Sequence, residues 1–495
     1  MLLLGIDLGT SSIKVSIIDA QTNKRIVSAQ YPESEAPILS DRPGWAEQDP
    51  RSWWNFTKLA IQKAHRSGLY DPKDIASIGI AYQMHGLVLV DDKQQPLRNA
   101  IIWCDSRAVD IGNRAMEDLQ GADFLATHLN SPGNFTASKL AWVKENEPAV
   151  YAKAHKFMLP GDYLGTCLTG EINSNISSIS EGVLWNFQTN SLSSTLLDYY
   201  GIDEALVPEL RPVFSNYGSL KAAVAEELGL SLEVSVNYKA GDQPNNALSL
   251  NVFEPGEVAA TAGTSGVIYA VTDSLLYDQE SRVNTFAHVN HQQEKPNLGV
   301  LLCINGTGIQ NSWIKKISAA GYDYDKINEL AAAVPIGSEG VRILPFGNGA
   351  ERMLKNKTVH AHIEQVDFVR HGEAQLWRAA QEGIAFAFRY GLDILRDNGL
   401  HPKVIKAGYA NLFLSPVFQQ SFAGVTNVSV ELYDNDGSVG AALGAGMGAG
   451  IYGSREEAFA GLQRRAIVVP EAVEHYEALY QEWKQSLEHK LSNLI

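Results

Sequence analysis

Five short stretches of this sequence hold side chains that chemistry could use. Asp7-Leu8-Gly9-Thr10-Ser11 sets a carboxylate at the end of an apolar run, then a glycine and two hydroxyl residues whose neighbouring backbone N–H groups can converge on one point. Such a nest binds phosphate without a lysine, although an ordinary hairpin turn has the same composition. A second turn, Gly263-Thr264-Ser265-Gly266, follows 254 residues later. Two such turns facing each other across a cleft would grip the β- and γ-phosphates of a nucleotide, with Mg2+ supplying positive charge and Asp7 as the metal-side carboxylate. In Ala240-Gly241-Asp242-Gln243-Pro244-Asn245-Asn246 the Asp could take the proton of a substrate hydroxyl as it attacks a γ-phosphoryl group, or simply cap the helix that follows. Gln83-Met84-His85-Gly86 offers an amide and an imidazole suited to sugar hydroxyls, against the plainer reading of a satisfied structural His. In Trp103-Cys104-Asp105-Ser106-Arg107 the Asp and Arg either reach one polar locus or pair with each other.

The elements that must hold these groups follow from periodicity. Residues 2–19 cluster Leu3, Leu4, Ile6, Ile13, Val15, Ile17 and Ile18 around the Gly9 turn and predict a β-hairpin, and Val258 to Val271 predict another around Gly263. The recurrence suggests two related halves, meeting near Asn246 to Pro255. Arg51 to Gly68 and Ser138 to Ala154 carry helical spacing, while Ile75 to Val90 read as strands broken at Gln83 to Gly86. Alternation of the two types makes the class α/β. Glu373 to Asn398, free of Pro, predicts a buried helix, and Glu471 to Ile495 a closing surface helix. Gly437 to Ser454 is uncharged but built mostly from Gly and Ala, which suits close helix packing and not a membrane span.

Composition narrows the partners. A chain of 495 residues, 45% hydrophobic, exceeds one core, and two domains are expected. Its formal charge of −16 opposes binding to a phosphate backbone, so no nucleic acid is expected. Cys104, Cys167 and Cys303 are far apart and odd in number, which fits a reducing cytoplasm better than a disulfide framework or a zinc knuckle. The start, Met1 to Ile6, is broken by Asp7 and lacks a basic flank, so neither a signal peptide nor a membrane anchor is expected. No Gly-x-x-x-x-Gly-Lys-Ser/Thr string and no His-Arg-Asp loop occur, which removes P-loop ATPases and protein kinases. His360 and His362 read as a solvent-exposed pair and not as metal ligands.

Taken in order, Gly5 to Ser11, Gly44-Trp45-Ala46-Glu47-Gln48-Asp49-Pro50, Gln83 to Gly86, Trp103 to Arg107, Gly241-Asp242 and Gly263 to Gly266 resemble the FGGY carbohydrate kinases, from residue 3 to about residue 450. The resemblance implies two actin-like (ribonuclease H-like) domains with a cleft between them: 1–246 for sugar, 247–453 for nucleotide, and 454–495 a helical extension. They would close on ATP, Mg2+ and a ketose and move phosphate to its terminal hydroxyl. D-xylulose stands first among the ketoses; another ketose, a polyol, a sugar acid, or an actin-fold ATPase without sugar are the alternatives. On this reading Asp242 is the base, and Asp7 and Asp242 face the metal. Gln83, Met84, His85, Arg107, Asp242 and Gln243 hold the sugar, while Thr10, Ser11, Gly263, Thr264, Gly306, Gln310, Gly408 and Asn411 hold the nucleotide. Two positions depart from the family pattern. Lys406-Ala407-Gly408 stands where a glycine pair is usual, followed by Leu412-Phe413-Leu414, and Gln243 stands where an Asn is common, which bears on sugar preference. The expected partners are the sugar and ATP; whether the chain forms a homodimer stays open.

Overall fold

The computed structural model describes residues 1–318, 321–434 and 436–494. The first expected hairpin is present as β1 (Leu2–Leu8) and β2 (Ile13–Asp19). With β3 (Arg25–Tyr31), β4 (Ile75–Tyr82) and β5 (Ser235–Gly241) it forms a sheet of order β5-β4-β1-β2-β3. The first three strands pair antiparallel, and β4 and β5 join in parallel. The second hairpin, β6 (Glu257–Ala262) and β7 (Gly266–Thr272), opens a sheet with β8 (Asn284–Ala287), β9 (Leu298–Ile304), β10 (Val404–Gly408), β11 (Val430–Tyr433) and β12 (Arg464–Val468), in the order β8-β9-β7-β6-β10-β11-β12. Its inner strands β9-β7-β6-β10-β11 repeat the order and the directions of the first sheet. The short Gly-Thr-Ser recurrence thus marks a repeat of topology.

Both faces of β1 are covered, which is why it reads as a continuous apolar run instead of an alternation. Leu2, Leu4, Ile6 and Leu8 join a core with Trp53, Ala60, Ile61 and Ala64 of helix α1 (Pro50–His65), started by an Asp49 cap that accepts from the Arg51 N–H at 3.0 Å. The expected helix 138–154 is realised as α2 (Thr136–Asn146) and then breaks; Pro148 has no N–H to continue the ladder and starts a separate short helix. Next come α3 (Asp242–Ser249), α4 (Gly308–Ser318) and the buried α5 (Glu373–Asp397).

The other face of the first sheet is covered by a helix that arrives from the far end of the chain. Helix α6 (Gly437–Gly448) follows β11 of the second sheet, yet packs on β1, β4 and β5 of the first. Gly5 and Gly79 are register partners on adjacent strands. A Cβ at either would overlap a carbonyl of α6, Ser438 or Ala441, so the glycine pair makes the flat seat that the small-residue helix needs. The expected unit 247–453 is therefore not confined to the second sheet. Nor is 454–495 only helical: β12 forms an edge strand against β11 before α7 (Val473–Ser492). That last helix is more than a surface cover, since Tyr476, Tyr480, Trp483 and Leu487 are buried in the second core and the Trp483 indole donates to the Ile343 carbonyl at 2.8 Å. Ile495 of the expected stretch lies outside the described residues. Among the described residues no helix is long and apolar enough to cross a membrane.

Two stability measurements check this packing. Gly79→Ala is expected to cost roughly 1–3 kcal/mol of unfolding free energy through overpacking against α6, read by denaturant titration. His128 is buried, stacks on Phe124, contacts the Ser193 hydroxyl at 2.6 Å, and is held by burial down at about 4. Its contribution is present above the unfolded value near 6.5 and is lost as pH falls towards 4, so His128→Asn is expected to flatten the stability-versus-pH slope in that window.

Candidate active site

Strand register brings the chemical groups together. Asp7 pairs with Ala81 of β4, and Gly241 of β5 pairs with Tyr82 of the same strand. The three strands run parallel, so Asp7, Gln83 and Asp242 emerge at one edge, the carboxyl edge where α/β sheets bind ligands. Gly241 is the residue that caps α3, and Asp242 is its first helical residue, not its cap. Both carboxylates are half-buried. Burial and then the charge of Asp436 hold Asp7 up at about 6, against the pull of Lys14. Burial and then the charge of Asp7 hold Asp242 up at about 7. The third acid, Asp436, is tied up: it pairs with Lys14 and caps α6 by accepting from the Ser438 N–H at 3.0 Å. The start of α6 abuts Asp7, because a Cβ on Gly437 would collide with its carboxylate.

The 83–86 loop forms one wall. His85 takes a left-handed backbone, φ 60°, fixed from two sides. Its N–H donates to Glu181 at 3.3 Å and its carbonyl accepts from Lys139 Nζ at 2.7 Å. Met84 packs against Gly241. The His85 ring lies edge-on to Phe135, 4.7 Å between centroids, and burial drops its pKa to about 3, so the imidazole is neutral. Two buried polar atoms here have no partner among the described residues, His85 Nδ1 and Gln243 Oε1. Gln83 does not share this role. Its amide is spent on scaffolding: Nε2 donates to Gln48 Oε1 at 3.1 Å and Oε1 accepts from the Thr10 hydroxyl at 3.3 Å.

That scaffold explains the Gly44 to Pro50 stretch. Gln48 Nε2 donates to the Thr10 carbonyl at 2.8 Å, and Gln48 Oε1 also accepts from Trp53 at 3.0 Å, so one buried amide locks the first turn to the 83–86 loop. Trp103 adds an indole N–H to the Thr10 hydroxyl at 3.0 Å. Arg107, expected at the sugar, is instead consumed in an ion-pair cluster. It forks onto Asp105 at 2.6 to 3.0 Å, meets Glu47 at 2.7 Å, and lies 3.8 Å from the centre of the Trp45 ring, with 1% of its side chain exposed. Pairing, the plainer alternative, is what the fold realises. Ser11 is exposed, its carbonyl accepting from Ala36 at 2.7 Å.

The second turn is joined to the start of α4. The Gly263 carbonyl accepts from the Gly308 N–H at 2.9 Å, and the Thr264 carbonyl from the Ile309 N–H at 3.1 Å. Gly263, Thr264, Gly308, Asn311, Asn328 and Asn411 line a cavity of about 480 Å³. The other five expected nucleotide residues do not line it: Thr10 and Ser11 lie on the first turn, and three belong to the second half of the chain. Gly306 lies beneath, against the Pro345 carbonyl; Gly408 ends β10. Gln310 turns to a neighbouring depression with Trp313, Pro345 and His360. The reason is helical: one residue of α4 further on rotates the side chain away by a quarter turn or so.

Sequence reasoning missed Lys139, Glu181, Glu351 and Arg352. Lys139 was visible as the lone charge within the buried segment Thr136 to Ala141, and Glu351-Arg352 as adjacent opposite charges in a glycine-bearing loop. Nothing in Ile176 to Ser180 announces Glu181. Burial pushes its acid well above the usual range.

The model of the FGGY family of carbohydrate kinases, N-terminal domain, matches residues 2–249, and that of the C-terminal domain matches 258–450. The chain belongs to the FGGY family of carbohydrate kinases. Within it, the chain is 30% identical to a xylulose kinase from Staphylococcus epidermidis, covering 97% of both chains, and 28% identical to one from Bacillus subtilis, covering 98% of this chain and 96% of the other. A crystal structure of a xylulose kinase from Brucella ovis superposes with a TM-score of 0.88 at 27% identity over the whole of both chains. The two repeated sheets are the actin-like, ribonuclease H-like domains of this family.

If Arg107 is structural, Arg107→Met, which leaves Asp105 buried without its partner, is expected to lose roughly 3–5 kcal/mol of stability, measured by chemical denaturation.

Proposed function

We propose that this carbohydrate kinase uses ATP to phosphorylate the terminal hydroxyl of a ketose, D-xylulose giving D-xylulose 5-phosphate, with Asp242 as general base. The observation that carries the reading is the pair of unpartnered buried atoms, His85 Nδ1 and Gln243 Oε1, beside a carboxylate held near neutrality. Leaving a buried polar atom unpaired costs on the order of 1–3 kcal/mol, a cost that a hydroxylated ligand relieves. The curated relatives named as xylulose kinases, matched over nearly the whole chain, support D-xylulose within that class.

The sugar hydroxyl gives its proton to an Asp242 oxygen while its own oxygen attacks the γ-phosphorus in line. The new O–P bond forms as the bond to the β–γ bridging oxygen breaks, and ADP leaves. Backbone N–H groups of the turns at Thr10-Ser11 and Gly263-Thr264 hold the phosphates. The donor set fits a divalent ion such as Mg2+: the charge of Asp7 opposes ionisation of Asp242, and Mg2+ takes one or two carboxylates with phosphate and water oxygens. Bound there, it would neutralise charge on the phosphates. His85 and Gln243 orient the sugar, and closure of the two domains excludes water, which would otherwise compete with the sugar hydroxyl.

Asp242→Asn is expected to lower kcat by about 10²–10⁴-fold while leaving nucleotide affinity within a few-fold. Coupled ADP release over a panel of ketoses, polyols and sugar acids should give the highest kcat/KM with D-xylulose. Release indifferent to every sugar would overturn the reading in favour of an ATPase without sugar substrate.

A further inference from the structure

The loop after Gly347 sends two neighbouring side chains in opposite directions. Glu351 is fully buried, and its two carboxylate oxygens accept the Asn305 N–H, each at 3.0 Å. The Gly306 N–H also supports it. This is the segment that leads into α4, whose first residues are hydrogen-bonded to the second Gly-Thr turn. Among the described residues no cation pairs with Glu351, so its partners are the backbone of the nucleotide-side segment alone. Burial pushes its acid up to about 7.

Arg352 points the other way. Its Nε donates to the Ser281 carbonyl at 2.8 Å, and its guanidinium carbon stands 5.4 Å from the centre of the Phe135 ring, the ring against which His85 is packed edge-on. Its charge is felt at the His85 imidazole. Phe135 and His85 belong to the first half of the chain, Arg352 and Ser281 to the second. Among the described residues no carboxylate pairs with Arg352, and neither of its terminal nitrogens makes a hydrogen bond. A partly buried guanidinium with free donors faces the wall assigned to the sugar. A guanidinium cannot shed its proton, and so seeks acceptor oxygens. Hydroxyl and carbonyl oxygens of a polyhydroxylated substrate are acceptors of that kind. The pair is anchored behind by Met353 and Leu354, buried in the second core.

We propose that Glu351-Arg352 couples the two substrate sites: Arg352 is a sugar-binding residue supplied across the domain boundary, and Glu351 carries its position to the Asn305-Gly306 segment on the nucleotide side. The proposal rests on the sugar-kinase reading above. Sugar bound against Arg352 draws the loop, and with it the nucleotide segment, into one arrangement, so each substrate strengthens the other by the same factor.

The test uses the full-length protein, D-xylulose and the non-hydrolysable ATP analogue AMP-PNP with Mg2+, with Kd values from calorimetry. In the wild type, D-xylulose is expected to tighten AMP-PNP by at least about 5-fold, and AMP-PNP to tighten D-xylulose equally. Arg352→Met is expected to raise the ketose KM by about 10-fold or more, to leave AMP-PNP affinity without sugar within about 2-fold, and to reduce the mutual tightening below about 2-fold. Glu351→Gln is expected to weaken the tightening while leaving ketose affinity alone unchanged. Arg352→Lys, which keeps the charge without the fork, should fall between wild type and Arg352→Met, and carries the test if the Met variant does not fold. A ketose KM and a tightening factor within 2-fold of wild type in these Arg352 variants would overturn the proposal, as would a lowered Tm with proportionate loss of both affinities. A wild-type protein with no ketose-dependent ADP release would instead overturn the kinase reading itself.

Discussion

Two carboxylates held where neither ionises easily set the terms for everything else in this molecule. Asp7 and Asp242 stand at the ends of parallel strands that share one neighbour, β4, and burial holds both acids up, with the charge of Asp436 adding to it at Asp7 and the charge of Asp7 adding to it at Asp242. Without a cationic ligand the arrangement is unfavourable at neutral pH, so the surrounding structure must impose it. The sheet supplies the register, α6 closes over Asp7 at Gly437, and Lys14 is diverted to Asp436 instead of relieving the charge fully. Strain of this type persists only when packing over-determines it.

Around that pair, polar side chains divide between contact and support. His85 and Gln243 retain unmatched atoms, whereas Gln83, Gln48, Trp53 and Trp103 exhaust theirs on one another and on Thr10. The first turn and the 83–86 loop are thereby tied together. Arg107 belongs to the same division, on the supporting side: pinned by Asp105 and Glu47 beneath Trp45, it stiffens the entrance without offering a donor to solvent.

Much of the fold was legible because its signals are local. Both hairpins, the break at Gln83 to Gly86, the helix from Glu373 and the glycine-rich segment meant for close packing are each written in consecutive residues. Asp242 could be singled out because it follows a glycine at a strand end. What escaped depends on which groups meet across long separations. Whether Arg107 reaches a ligand or a neighbour is decided by Glu47 and Trp45, some sixty residues earlier. The face of α4 that carries Gln310 is set by a rotation that no spacing rule resolves to one residue. Glu181 and Arg352 become visible only when β5 and the 83–86 loop are brought beside them. The break in the helix after Asn146 is a different lapse, since Pro148 announces it.

The return of α6 to the first sheet bears on how the polypeptide is made. During synthesis, residues 2–82 emerge early, yet the surface of β1 and β4 bearing Gly5 and Gly79 has no cover until residue 448 has left the ribosome. A broad strip of naked strand must therefore wait through most of translation, and nascent chains of this architecture are obliged either to shelter that strip with a chaperone or to postpone its assembly until the last quarter of the polypeptide arrives.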